Sequence, residues 1–342
     1  MLKVGIVGMG GMGWFHARRY RELRGARITA IADLVPERLE GKKAVQVNLA
    51  EGDTTFDLAE ATRYGEGLDL IKKADVDVVD ICLPTYLHAS YVIEALKAGH
   101  HVLCEKPMAL GVEEADRMIA AADETDRLLM IAQVIRFWPE YRFLQARIED
   151  GTYGALQSLN MWRMSGRPGW SPDNWFLDPA LSGGAILDLH IHDLDYANAV
   201  FGRPDHVYAT GRISAVAKTY DVIHACLTYQ DGPQVHMHAG WASGQVPFEA
   251  GYEAWFDHAF VRYDAGKLEV FPDPDKAIPE TPDYESGDGY LAEIGYFLEC
   301  VESGRRPERC TPRSTRDSLA LVQQELQAIH ALTPEHQGGT AE

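Results

Sequence analysis

Two stretches of the chain carry side chains suited to chemistry. The first, His100–Met108, reads HHVLCEKPM and ends in a carboxylate, an ammonium and a proline: Glu105, Lys106 and Pro107. Pro107 lacks a backbone donor and restricts Lys106 to extended conformations, so the lysine stands at the end of a short apolar strand. The second, Ser182–Asp195, reads SGGAILDLHIHDLD. At about 100° per residue, a helix here puts Asp188, His192 and Asp195 on one face, at i, i+4 and i+7. The glycines before it leave room for a ligand against that face. An imidazole held between two carboxylates has its tautomer fixed and its basicity raised, which suits a general base near neutral pH.

The elements that must position these residues begin at the N-terminus. Lys3–Val7 reads as a buried strand, followed by Gly8-Met9-Gly10-Gly11-Met12-Gly13 and a helix from Trp14 to about Arg24. Gly8, Gly10 and Gly13 match the G-x-G-x-x-G spacing of a dinucleotide turn. Its glycines permit the turn, the approach of a pyrophosphate and the packing of helix on strand. Met12 lies inside this turn and counts with the glycines as a cofactor contact. A second strand, Arg27–Ala32, ends at Asp33, twenty residues after Gly13, where an acid accepts from the adenosine ribose. That carboxylate repels a 2′-phosphate, so NAD is expected over NADP.

Leu39–Gly67 reads as helix plus loop. A third strand, Asp77–Leu83, closes at Pro84 and Thr85, and His88 opens the next helix, which runs to Ala98. All three lie on the cofactor side. Helix Val112 to about Thr125 and strand Leu128–Val134 complete an alternating pattern that specifies a doubly wound parallel sheet. In an open parallel sheet, ligands bind beyond the carboxyl ends of the strands, where Lys106 lies.

After Val134 the pattern changes. A helix to about Glu149 is followed mainly by strands: Leu156–Arg163, His206–Ser214, Val222–Tyr229, Gln234–Trp241, Glu253–Phe256, Ala259–Tyr263 and Lys267–Phe271. Asp231-Gly232 marks a hairpin. Helices Gly289–Ser303 and Pro312–His330 close an α+β unit. The expected division is 1–134 for nucleotide, 135–333 for substrate and oligomerisation, and 334–342 as a tail.

In this half, Arg136, at the junction, and Arg163 are candidate substrate contacts, and Arg167 is a further cation for a carboxylate or phosphate. Trp175 belongs to a loop, Trp162–Phe176, whose aromatic and hydrogen-bonding residues suit a sugar ring. Asp195 completes the substrate set. His190, His192, His236 and His238 raise the question of zinc. However, His190 and His192 diverge on a helix, and there is no H-E-x-x-H and no cysteine pair, so no metal is expected. His190 and Asp193 are read as capping or solvated.

Composition narrows the partners. Acidic residues outnumber basic ones by 51 to 32, a net charge of −19, which repels nucleic acid and anionic membranes. No apolar run is long enough to span a bilayer. The N-terminus is a strand, not a signal peptide. Five scattered cysteines fit reduced thiols, and a cytoplasmic location is expected.

Together the Glu105-Lys106-Pro107 triplet and the Gly183-Gly184…Asp188…His192 segment make the whole chain resemble the Gfo/Idh/MocA family, named after glucose–fructose oxidoreductase and inositol dehydrogenase. The resemblance implies a Rossmann domain followed by a domain with a large, mostly antiparallel open sheet, which pairs with a second subunit as a homo-dimer or homo-tetramer. It implies that Lys106 lies by the nicotinamide and the substrate hydroxyl, with Glu105 on the cofactor side and a cis Pro107. It implies that His192 accepts the proton and that Asp188 supports it. A smaller residue often stands at His190 in that family, and the 41–67 region here looks longer. The implied reaction is hydride transfer between NAD and a secondary hydroxyl of a sugar or cyclitol. Two rivals stay open: an NAD-dependent glycosidase working through transient oxidation, and a non-catalytic dinucleotide sensor.

Overall fold

The computed structural model describes residues 1–40, 58–169, 172–214, 218–277 and 282–332. Part of the expected Leu39–Gly67 helix and loop, residue Trp170 and the tail lie outside the described residues. Six strands form the first sheet: β1 (Leu2–Val7), β2 (Ala26–Ala32), β3 (Thr62–Tyr64), β4 (Val78–Ile81), β5 (His101–Glu105) and β6 (Leu129–Ala132). Their order is β3-β2-β1-β4-β5-β6, and every pairing is parallel. Helices cover both faces, so the central strands are apolar runs rather than alternating ones. Val78, Val79 and Ile81 of β4 are fully buried, each contributing about 1.5–3 kcal/mol by leaving water. β3 falls where the sequence suggests only helix and loop, and the helix Gly67–Lys73 begins where that stretch ends. β3 is a polar edge strand, Thr-Arg-Tyr, with two of its three residues exposed, so it carries no apolar pattern.

The strand order reverses between β1 and β4, and the glycine turn leaves β1 at that crevice. Gly8 has φ +94°, and a Cβ there would meet the Cys82 carbonyl oxygen at 2.5 Å. A Cβ on Gly13 would stand 1.9 Å from the Gly8 carbonyl oxygen, whereas one on Gly10 would meet nothing within 4 Å. The helix that follows, Gly11–Glu22, starts inside the turn, so its free N–H groups face the open space beyond Gly10.

Seven strands form the second sheet: β7 (Leu156–Gly166), β8 (His206–Arg212), β9 (Val222–Thr228), β10 (Gln234–Ala242), β11 (Glu249–Phe256), β12 (Ala259–Asp264) and β13 (Lys267–Pro272). Their order is β13-β12-β11-β7-β10-β9-β8, antiparallel except for the β7–β10 pair. β9 and β10 alternate buried and more exposed positions, as strands with one wet face do. The closing helices return to the first sheet. Gly289–Ser303 packs on Gly11–Glu22, joined by an Arg19–Asp288 ion pair at 2.8 Å and by Phe15 edge-on to Tyr290 at 4.6 Å. Pro312–Leu332 packs on β8, on helix Ile191–Phe201 and on helix Val112–Thr125.

The loaded segment departs from a regular helix. Gly183 and Gly184 both take positive φ, Ile186–His190 is a π-helical turn, and the α-helix starts at Ile191. A π turn closes at i→i+5 and widens the spacing between successive turns. The α-helical alignment of Asp188 with His192 therefore fails.

The turn yields a paired prediction. Gly13→Ala forces a carbon into a backbone oxygen and should lower stability by about 1–3 kcal/mol or more, read as a fall in Tm. Gly10→Ala should leave Tm within the small range of an ordinary surface change, about 0.5 kcal/mol, yet weaken dinucleotide binding measured by NADH fluorescence.

Candidate active site

Lys106 leaves the end of β5 through a cis peptide to Pro107. Its ammonium crosses to the π turn and donates to the Asp188 carbonyl at 2.8 Å and to Asp188 Oδ1 at 3.2 Å. Trp241 Nε1 donates to the other carboxylate oxygen at 3.2 Å. Asp188 is thus a partner of Lys106 and Trp241, not of His192, which corrects the expected aspartate–histidine pair. Three elements meet at one carboxylate: β5, the π turn and the end of β10.

His192 lies one position into the α-helix, nearly buried, with Nδ1 enclosed and unpartnered. Nε2 is left as the ring nitrogen open to a ligand. Burial, with the Lys106 and Arg163 charges added to it, holds His192 well below the ordinary histidine value. The sequence expectation was a raised basicity, and the structure reverses it. The carboxylates that would have raised it are engaged elsewhere. Below its usual range, the ring is neutral at pH 7 and able to take a proton.

Asp195 forms a two-pronged ion pair with Arg136, both contacts at 2.7 Å, and also accepts from Ser318 at 2.8 Å. The remaining Arg136 nitrogen donates to the Arg309 carbonyl at 2.5 Å. Arg163 pairs with Asp193 at 2.9 Å and donates to the Tyr141 hydroxyl at 3.2 Å. All four charged residues are buried. Arg136, Arg163 and Asp195 thus spend their charges on internal pairs that brace helix Ile191–Phe201 as struts, which the sequence reading of them as substrate contacts did not foresee, and Asp193 is not a solvated residue. His190 likewise is buried, with Nε2 3.0 and 2.9 Å from the two Glu325 carboxylate oxygens. A buried charge needs a buried partner, and that rule, read only after the fold is known, explains all three pairs. Arg167, past the end of β7, keeps a buried Nε without a partner.

On the cofactor side, Asp33 accepts from the backbone N–H of Met9 and of Val35, both at 2.8 Å, with the Arg38 guanidinium at 3.4 Å. Its carboxylate ties β2 to the glycine turn. Pro84 and Thr85 open helix Thr85–Lys97 at the end of β4, and Met12 is half-buried in the first turn of its helix. His88 differs from expectation. It is buried and bridges the Pro107 and Leu83 carbonyls, both at 2.7 Å, so it braces the loop after Lys106 rather than offering itself to a nucleotide. Glu105 is also turned to internal use: one oxygen lies 3.0 Å from His16 Nε2, and the other accepts from the Lys106 backbone N–H at 3.1 Å. Trp175 is half-buried and stacks on Phe176 at 4.0 Å. Sequence reading missed His16 and Trp241. The signal for His16 was present: a histidine three residues beyond Gly13, on a helix face that must be buried.

The open Cβ position at Gly10, the helix N-terminus beside it and the Asp33 carboxylate form a cradle that fits a dinucleotide. A separate cavity of about 700 Å³ lies on the outer face of the second sheet, lined by His224, Cys226, His236 and His238 among others. His224 and His238 stack there at 5.8 Å, away from Lys106.

Comparison with known proteins follows the same outline. A family model described as "Oxidoreductase family, NAD-binding Rossmann fold" matches residues 2–133, and a Gfo/Idh/MocA C-terminal domain model matches residues 141–257. Myo-inositol 2-dehydrogenase of Thermotoga maritima is 31% identical over 328 residues, covering 90% of each chain. UDP-N-acetylglucosamine 3-dehydrogenase of Acidithiobacillus ferrooxidans is 28% identical, covering 96% of this chain and 98% of its own. An oxidoreductase from Agrobacterium radiobacter, crystallised with NAD+, L-tartaric acid and magnesium, shares the fold with a TM-score of 0.80 at 23% identity, covering 96% of each chain. Among the described residues no helix is long and apolar enough to cross a membrane.

The strut assignment is testable. Arg136→Met leaves Asp195 buried without its partner and should cost about 3–5 kcal/mol of stability, seen as a large drop in Tm. A substrate contact would instead raise KM with Tm unchanged.

Proposed function

The chain belongs to the Gfo/Idh/MocA oxidoreductase family, and on that premise we propose that it oxidises a secondary hydroxyl of a sugar, cyclitol or sugar derivative, or reduces the matching ketone. The observation that carries the reading is the Lys106–Asp188 contact. It brings an ammonium from the nucleotide-binding sheet to the segment that bears a neutral histidine.

A nicotinamide dinucleotide, when bound, supplies the acceptor for the hydride that leaves the carbinol carbon. The glycine turn and Asp33 would hold it, and the negative charge of Asp33 favours NAD over NADP. The substrate hydroxyl gives its proton to His192 Nε2 as the C–H electron pair departs. Lys106 offsets the negative charge that develops on the oxygen, a kind of contribution worth about 10²–10³ in rate. A positioned base such as His192 adds about 10²–10⁴. Asp188 and Trp241 keep the ammonium in place, so Asp188 acts on the lysine rather than on the histidine.

The outer face of the second sheet is read as a contact with a second copy of the chain. Tyr208, Val222, Trp255 and Phe271 stand exposed along it, large apolar side chains that a second copy would cover. The mass in solution by light scattering tests this. A dimer or tetramer is expected, and a monomer would count against it.

Two measurements test the chemistry. Lys106→Ala should remove NADH formation from polyols while NAD binding changes by less than about threefold, since the cradle lies elsewhere. Normal turnover in that variant, or products of glycosidic cleavage from the native protein, would refute the reading. The rate also depends on neutral His192. Because its pKa is lowered, kcat/KM should hold as pH falls to 6.5 and decline only below it. An acid limb centred above the ordinary histidine value would contradict the assignment.

A further inference from the structure

Asp80 is a carboxylate in the middle of β4, flanked by fully buried apolar neighbours and itself 0% exposed. Such a group persists only with a partner. The partner is His16, in the second turn of the helix that leaves the glycine turn, with Nδ1 2.9 Å from Asp80 Oδ2. The opposite ring nitrogen, Nε2, lies 3.0 Å from Glu105 Oε1, an ion-pair contact whose angle is not that of a hydrogen bond. The ring is wholly buried. It thus spans the floor between β4 and the last residue of β5, the residue that precedes Lys106. Glu105 completes the path by accepting from the Lys106 backbone N–H.

The surroundings favour a charged ring. Burial opposes the charge, yet Cys82 and Asp80 beside it raise His16 well above the ordinary histidine value. Tyr20, Tyr290 and Glu293 complete the enclosure. Glu293 is held far up by burial, so it stays neutral, and Asp80 and Glu105 are the two carboxylates that the ring meets. His16, Asp80 and Cys82 are close enough to suggest a metal site. Both ring nitrogens face carboxylates, however, and a protonated imidazole has no lone pair to give a metal.

We propose that His16 is the positioning residue for Lys106: by bridging Asp80 and Glu105 it fixes the end of β5 and so aims the ammonium at Asp188 and the substrate oxygen. His88 braces the same loop from its other side, through the Pro107 carbonyl. Because His16 also rides on the helix of the glycine turn, cofactor cradle and lysine share one rigid floor. The inference rests on the dehydrogenase reading above for its effect on rate, but the placement of Lys106 can be read without turnover.

The test uses full-length His16→Gln and Glu105→Gln, each of similar size to the residue it replaces. Three quantities are measured: kcat with a polyol that the native protein oxidises, NADH affinity by fluorescence, and trace acetylation of Lys106 by acetic anhydride, located by mass spectrometry. A displacement of about 1 Å at a catalytic group loses roughly 100-fold in rate. The expected result is therefore a fall in kcat of about that size, with KM and NADH affinity within about threefold. Lys106 should acetylate several-fold faster, while the surface lysines react as before. If His16→Gln does not fold, Glu105→Gln carries the same expectation from the other end of the bridge. Unchanged Lys106 acetylation in a folded variant overturns the proposal, as does a loss of kcat that only follows a loss of Tm. If the native protein oxidises no polyol yet Lys106 labelling responds to His16→Gln, the positioning stands and the dehydrogenase reading falls.

Discussion

The contact on which the site depends is one ammonium reaching one aspartate across the molecule. Lys106 and Asp188 are 82 residues apart and belong to different layers of the protein. Neither is deeply buried: their side chains are 18% and 17% exposed. A pair so placed gains little stability from Coulomb attraction alone. Its value is geometric. It marks where the end of β5 meets the π turn, on the same segment of chain that carries His192.

That position is held by buried charge rather than by apolar packing. Arg136–Asp195, Arg163–Asp193 and His190–Glu325 each tie the helix that bears His192, or the π turn before it, to another element. His16 with Asp80 and Glu105 does the same beneath Lys106. Buried ion pairs are weak contributors to net stability but costly to break singly. Such pairs therefore suit a role in which register matters more than stability. They also dispose of arginines that, in sequence, look like ligands for an acidic substrate. The electrostatic result is a histidine held neutral first by burial and then by the cations beside it.

Much of this architecture was legible before any coordinates. Five strands of the first sheet, the seven-strand sheet, the glycine turn and the hairpin at Asp231-Gly232 follow local rules: apolar runs, alternation, and glycine where a Cβ cannot fit; the polar edge strand β3 does not. The Lys106 strand end was legible because Pro107 fixes its conformation. What failed was everything set by distant partners. Arg136 and Asp195 are 59 positions apart, His16 and Asp80 64, and His190 and Glu325 135. No periodicity links such pairs, so His16 went unnoticed and Arg136 was assigned to the substrate. The Asp188–His192 alignment failed for a different reason. A five-residue π turn breaks the 3.6-residue repeat, and only the two glycines before it hint at irregular backbone.

The central claim is that Lys106 and His192 flank a single hydroxyl oxygen. A crystal structure of the protein with NADH and a bound polyol tests it most directly. The account predicts one substrate oxygen within hydrogen-bond reach, about 2.6–3.2 Å, of both Lys106 Nζ and His192 Nε2. A polyol seated with its reacting hydroxyl against only one of them, or against neither, would contradict it.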